Sequence, residues 1–206
     1  RKEETMERND ELIAAGIGVF VVDMPGTGQA PIKGDVDSER MFIAALDHLV
    51  KRPDVDADRL GYLGGSWSGY WATKMAIVGA KRFKGVVAQG LPVHYYFQPE
   101  WQKVAINTPE YLMDLLPARA MVYGVNTLDE FLAYGPRMSL KTLGLLDKPS
   151  APMLLINGAN DTQVQAPPTA NAAFVRDVGN NMQGAPTVAD AGTVSPSGMY
   201  AANISP

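Results

Sequence analysis

The 206 residues are 46% hydrophobic and 19% charged, with 18 Lys plus Arg against 22 Asp plus Glu and a formal net charge of −4, which excludes a disordered chain and fits an ordinary globular domain. The acidic excess and the lack of a basic cluster remove the attraction that binding to nucleic acid or anionic lipid relies on, and no apolar run approaches the ~20 residues of a membrane span. Zero Cys and only two His, His48 and His94, exclude a disulfide framework, thiol catalysis and Cys-ligated zinc, and leave no basis for a His-rich metal site.

The chain opens on Arg1-Lys2-Glu3-Glu4, a charged helix former rather than a signal peptide, so a cytoplasmic location is expected. It opens inside a helical pattern, which points to a fragment. Residues 3–15 read as a surface helix with Met6, Leu12 and Ile13 on a rough stripe and Gly16 as the left-handed residue that ends it. Ile17 to Val22 is a short run of branched apolar side chains, expected as a strand buried on both faces of a parallel sheet. The following Asp23-Met24-Pro25-Gly26-Thr27-Gly28 lacks the Lys of a Walker loop and the third Gly of a dinucleotide fingerprint, and reads as a turn at a strand end. Asp37 or Ser38 then caps a helix to about Val50, with Phe42, Ala45, Leu46 and Leu49 at helical spacing.

After a polar turn, Arg59 to Leu63 reads as the second strand, Trp67 to Val78 as a helix closed by Gly79, Gly85 to Ala88 as the third strand and Met153 to Asn157 as the fourth. Strands alternating with helices imply right-handed crossovers, a parallel sheet and helices on both faces. Between the third and fourth strands lie residues 89–152, far more than the ~10–12 that a helical crossover needs, so an insertion is expected, with helices at Thr108 to Leu116 and Leu128 to Tyr134. It carries Tyr95, Tyr96, Phe97, Trp101, Tyr111, Tyr123, Phe131 and Tyr134. These either line a lid pocket for an apolar or aromatic substrate or form the core of the insertion itself. From Gln165 to Pro206 the chain is rich in Ala, Pro, Gly, Thr, Ser and Asn without a sustained apolar period, and is expected to be an irregular tail.

The strongest chemical signal is Gly61-Tyr62-Leu63-Gly64-Gly65-Ser66-Trp67-Ser68-Gly69, a strand that runs straight into a helix. A serine at such a junction sits on a tight turn that thrusts its hydroxyl out of the carboxyl edge of the sheet, provided that the residues two positions either side are small. Gly64 and Ser68 meet that demand for Ser66, although Gly is usual where Ser68 stands. Taking Ser68 as the nucleophile would put Ser66 and Tyr70 at the small positions, a poorer fit. The amide of Trp67, at the helix N-terminus, would face the negative charge that develops on an attacked carbonyl. Asp161, just after the fourth strand in Asn157-Gly158-Ala159-Asn160-Asp161, stands where the acid of a Ser, Asp, His relay belongs in this chain order. An isolated Gly-x-x-Asp would otherwise be a loop cap. His94, Tyr95, Tyr96 and Trp101, following the third strand, are candidate substrate contacts.

The stretches VFVVDMPGTGQAP, RLGYLGGSWSGYWATKMA, VHYYFQPEW and PMLLINGANDTQV together resemble the α/β-hydrolase branch that includes the fermentation/respiration switch protein, fungal pigment polyketide-shortening hydrolases and 2,6-dihydroxypseudooxynicotine hydrolase. The resemblance covers roughly residues 1–164. It implies a partial α/β-hydrolase fold divided into core (1–90), helical lid (91–150), acid strand and loop (151–164) and irregular tail (165–206). It also implies hydrolysis of a carboxylic ester, or of an activated carbon-carbon bond next to a ketone, with Ser66 as nucleophile and Asp161 as acid. The partner is then a small-molecule ester or acyl ketone, with no metal or organic cofactor and with a homodimer as one candidate oligomeric state.

The sequence departs from the family pattern in two places. The family carries its base histidine a few dozen residues beyond the acid, whereas no His follows His94, so turnover is expected to fall by several orders of magnitude. His48 falls on a surface helix, and His94 would meet Asp161 from an unusual direction. The family's strand and glycine-rich loop ahead of the first helix, which supply the second oxyanion donor, are also missing. Strands 17–22 and 60–64 are therefore expected to lack their shared partner, and unpaired buried amides and carbonyls cost about 1–3 kcal/mol each. A frameshift or a truncated gene would explain both the composition change at Val164 and the lost histidine. The rivals to an enzyme are a non-catalytic ligand-binding protein and an inactive fragment.

Overall fold

A four-stranded sheet organises the chain in the computed structural model, which describes residues 6–107, 114–158 and 199–204. Its order is β1 (Gly61–Gly65), β2 (Gly85–Gln89), β3 (Met153–Gly158) and β4 (Met199–Ile204). The first three run parallel, with Gly61 opposite Gly85 and Val86 opposite Met153, and β4 returns antiparallel to β3. The expected α/β class holds. The antiparallel strand lies in the stretch that the sequence marks as an irregular tail, because Met-Tyr-Ala-Ala-Asn-Ile, with one β-branched residue and no alternation, does not announce a strand without its partner.

The register sorts the sheet's side chains. Tyr62, Gly64, Val86, Ala88, Met153 and Leu155 share the face that carries α3 (Trp67–Val78), and all but Tyr62 of these are buried. Gly64 is glycine for space: a Cβ there would lie 2.2 Å from the Ser68 carbonyl oxygen and 3.1 Å from the Ala72 Cβ. Residues Gly69 through Ile77 of α3 are all buried, as befits a helix apolar around most of its circumference. The exception in kind is Lys74, 1% exposed, whose ammonium meets Glu39 Oε2 at 2.6 Å, donates to the Val36 carbonyl and lies 5.6 Å from the centre of the Trp71 ring. It thereby ties α3 to the first turn of α2 (Glu39–Leu49), which buries Phe42 and Leu46 as its spacing requires. His48 is exposed.

Four expectations are corrected. Residues 17–22 are not a strand: they follow α1 (Met6–Ala14) and Gly16 (φ +80), have no ladder partner among the described residues, and leave Ile17 and Phe20 about half exposed. Apolar, branched composition makes a strand only where another strand takes up its amides and carbonyls. Ser38 does not cap α2. Its hydroxyl donates to the Lys33 carbonyl (2.7 Å) and accepts the Asp35 amide (2.9 Å), closing the preceding turn instead. The strand placed at Arg59 to Leu63 lies two residues later, because Ala57–Arg59 form a 3-10 turn capped by Asp56. In the insertion, residues 108–113 lie outside the described residues, while α5 spans Leu115–Tyr123. The signals for α5 are Asp114, which accepts the Leu116 amide, and left-handed Gly124 (φ +76). Pro117 falls in the first turn of α5, where its missing N–H costs nothing.

The insertion adds α4 (Pro99–Ala105) and α6 (Leu128–Met138), with a 3-10 turn at Tyr95–Phe97. A capping box starts α6: Thr127 accepts the Glu130 amide and the Glu130 carboxylate accepts the Thr127 amide. Ala120, Phe131 and Leu132 form a small core of their own. No helix of the described residues is long and apolar enough to cross a membrane.

Candidate active site

Ser66 lies between β1 and α3 with φ 54 and ψ −124, and it is the one non-glycine residue with positive φ among the described residues. L side chains avoid this region, and holding one there costs on the order of 1–3 kcal/mol. Three hydrogen bonds impose it: the Ser66 amide donates to the Gln89 carbonyl at 2.7 Å, and the Ser66 carbonyl accepts the Gly69 (2.8 Å) and Tyr70 (3.2 Å) amides. The side chain is exposed at the carboxyl edge of the sheet.

The neighbours divide the work differently from the sequence expectation. Gly64 allows the helix to approach, as expected. On the other side the close approach is made by Gly69, where a Cβ would lie 2.8 Å from the Gln89 carbonyl oxygen and 3.0 Å from the Leu91 Cβ. Ser68 is free to carry a side chain, and its hydroxyl closes the turn: it accepts the Gly65 amide and donates to the Gly65 carbonyl, both at 2.8 Å. Ser in place of the usual Gly therefore staples the bend. With both bonds made, that hydroxyl is not the exposed one.

Trp67 opens α3, where first-turn amides have no partner within the helix. Its ring stacks on Tyr70 (4.9 Å between centroids, 6° between planes) and meets Phe97 (6.1 Å) and Tyr123 (6.0 Å) edge-on. Tyr123 in turn stacks on Tyr134 and Phe131. Phe97 and Phe131 are fully buried, so for these residues the insertion's aromatics act as core and as the seam that fastens the insertion over the Ser66 turn. Burial pushes the Tyr70 and Tyr123 phenols far above their ordinary range, and Tyr70 donates its proton to the Met138 carbonyl at 2.8 Å. Both remain protonated and neither can serve as a base.

His94, half-buried, follows β2 and begins the 3-10 turn; its ring is 5.1 Å from that of Tyr95, which is 40% exposed. Tyr96 packs on Phe97 and lies under the Arg119 guanidinium, 5.5 Å from its ring centre. Trp101 is half-buried on α4. Asp161 lies outside the described residues; β3, which leads towards it, runs parallel to β1 and ends at the same edge.

The Asp23 turn forms a separate cleft of about 530 Å³ with Lys33 and Met121, which does not include Ser66. Buried Asp23 accepts the Gln29 amide at 2.9 Å, and Gly28 (φ +51) leaves room for that carboxylate, since a Cβ would lie 2.4 Å from it. Gly26 packs on the Val122 backbone and the Gly34 amide donates to the Val122 carbonyl at 2.7 Å. The turn is thus a platform for the end of α5.

A model of the family described as Esterase FrsA-like matches residues 7–180. The match runs on past Val164, where the sequence reading ended the resemblance. Esterase FrsA of Photorhabdus laumondii subsp. laumondii is 29% identical over 154 residues, 74% of this chain and 36% of that protein. Among solved structures, wild-type AbyA5 superposes with a TM-score of 0.68 at 25% identity, over 88% of this chain and 48% of AbyA5. The 2,6-dihydroxy-pseudo-oxynicotine hydrolase gives 0.71 at 22%, over 89% and 47%. At that identity the likeness is one of fold. The chain spans between about a third and a half of the length of these three relatives.

Proposed function

The chain belongs to the FrsA-like esterase family of α/β-hydrolases, and from that premise we propose that it carries the nucleophile half of a serine hydrolase site. The observation that carries the reading is the positive-φ backbone of Ser66 at a strand-to-helix bend, with the hydroxyl exposed at the sheet's carboxyl edge. A serine is placed in so unfavourable a conformation at a nucleophile turn, where the strain points Oγ at the acyl group. In this reading Ser66 Oγ attacks the carbonyl of a small ester or acyl ketone. The Trp67 amide hydrogen-bonds the oxyanion, and Asp161 is the acid that would orient a base. Tyr95, the exposed aromatic of the turn after β2, contributes apolar contact.

Neither of the two histidines follows Asp161, so these 206 residues do not supply the usual base. The expected behaviour of this chain is slow, Ser66-dependent acylation with turnover several orders of magnitude below that of a complete triad. That same observation favours a second reading, a binding protein that uses the site without turnover. Assay of an aryl ester with the 206-residue chain and Ser66→Ala separates them. A slow burst of phenol that Ser66→Ala lacks supports acylation. Equal rates in the two proteins, with saturable ester binding, would leave the binding reading in its place.

A further inference from the structure

We propose that Ser68 is a positioning residue for the Ser66 nucleophile: its hydroxyl latches the peptide between Gly65 and Ser66 and so holds Ser66 in the positive-φ state that aims Oγ at an acyl group. The inference deepens the serine hydrolase reading and rests on it.

The latch is read from the two ends of one peptide. The orientation of the plane that joins residues 65 and 66 sets φ of Ser66, because the nitrogen of residue 66 belongs to that plane. Its nitrogen end is held from β2, where the Ser66 amide donates to the Gln89 carbonyl at 2.7 Å. In a trans peptide the C=O points opposite to the N–H, so the Gly65 carbonyl faces away from β2. There it accepts the Ser68 hydroxyl at 2.8 Å. A carbonyl only accepts and an amide only donates, so the hydroxyl gives its proton to the Gly65 carbonyl and a lone pair to the Gly65 amide, also at 2.8 Å. On that side β1 is the edge of the described sheet, and no described strand pairs with it there.

A strained residue persists only where its surroundings over-determine it. The carbonyl of Ser66, which accepts the Gly69 and Tyr70 amides, fixes ψ but leaves φ open. Turning the 65–66 plane over would carry φ of Ser66 from 54 to a negative value, at the loss of the bond at each end. With glycine at 68, the residue usual there, the oxygen end is released and only the Gln89 bond opposes the turn. In the turned state Ser66 no longer has the backbone of a nucleophile bend. Ser68 therefore acts on the reaction through the Ser66 backbone and touches no substrate.

The test measures fluorophosphonate labelling of Ser66 in the whole 206-residue chain against concentration, with Ser68→Ala, Ser68→Gly and Ser68→Thr beside it. The maximal labelling rate is expected to fall roughly tenfold in the Ala and Gly variants, the worth of one hydrogen bond, with the half-saturating concentration unchanged. Ser68→Thr, which keeps the hydroxyl, should restore the rate. The coupling between the amide and α protons of Ser66, which reports φ, should move in the Ala and Gly variants and return in the Thr variant. Ser38→Ala, which loses two hydrogen bonds in the turn before α2, controls for lost stability and should label as the unmodified chain does. Labelling of Ser68→Ala at the unmodified rate, or a Thr variant as slow as the Ala variant, overturns the latch alone. An unmodified chain that takes no label on Ser66 removes the hydrolase reading and the positioning role with it.

Discussion

At position 66 the backbone and the chemistry make opposite demands. A glycine would relieve the strain of φ 54, whereas the proposed nucleophilic role requires the hydroxyl. Ser66→Gly is therefore expected to be about 1 kcal/mol more stable than Ser66→Ala in urea unfolding while being equally inert. Equal stability of the two variants would show that the bend is relaxed. The bend was legible in the sequence because Gly64, Gly65 and Gly69 flank Ser66 and Ser68 at the junction of a strand pattern and a helix pattern. The roles of Ser68 and Gly69 were not, since which of the two faces the Gln89 carbonyl is decided by helix phase, to which a residue count is blind. The 2.7 Å contact between His94 Nδ1 and Ser139 Oγ was equally hidden: the two residues stand 45 positions apart and meet only once α6 has packed.

Among the elements, the insertion is fastened to the core by a short acidic turn. The Asp35 carboxyl is held below the usual carboxylate range, first by the hydrogen bond from the Tyr134 hydroxyl on α6, against the opposing effect of burial, and then by the Val36 amide and the Arg137 and Arg40 charges. A carboxyl depressed in the folded state contributes stability that is complete above its unfolded value near 3.9 and is lost as pH falls through the folded value. The native chain is therefore expected to lose more stability than Asp35→Asn between pH 5 and pH 2, read from urea midpoints; parallel loss in both would remove Asp35 from the linkage. Helix boundaries in this region escaped the sequence, since α5 carries Pro117 in its first turn and α6 carries Pro136 two residues from its end. Residues 17–22 misled in the opposite direction, because side-chain pattern records burial and β-preference but not the presence of a pairing strand.

On the scale of the molecule, α3 is the axle: β1 and β2 lie along it, α2 is bolted to it through Lys74, and the insertion reaches it through Trp67. Removing one partner of the Lys74–Glu39 pair strands an ammonium that is 1% exposed, so Glu39→Ala is expected to cost about 3 kcal/mol or more. The double variant Glu39→Leu with Lys74→Met should recover most of that loss. If the double variant is no better than Glu39→Ala, the cost lies in α2 rather than in an uncompensated charge. The α/β class and the parallel order of the first three strands were legible because alternating elements leave few topologies. The buried lysine was not, since its partners come from a different helix and a loop carbonyl.

The identity of the reactive hydroxyl can be read directly by intact mass and peptide mapping after treating the chain, Ser66→Ala and Ser68→Ala with a fluorophosphonate. A single adduct on Ser66, absent from Ser66→Ala and kept in Ser68→Ala, is the expected result. An adduct that survives Ser66→Ala, or that maps to Ser68, would contradict the assignment of the strained serine as the nucleophile.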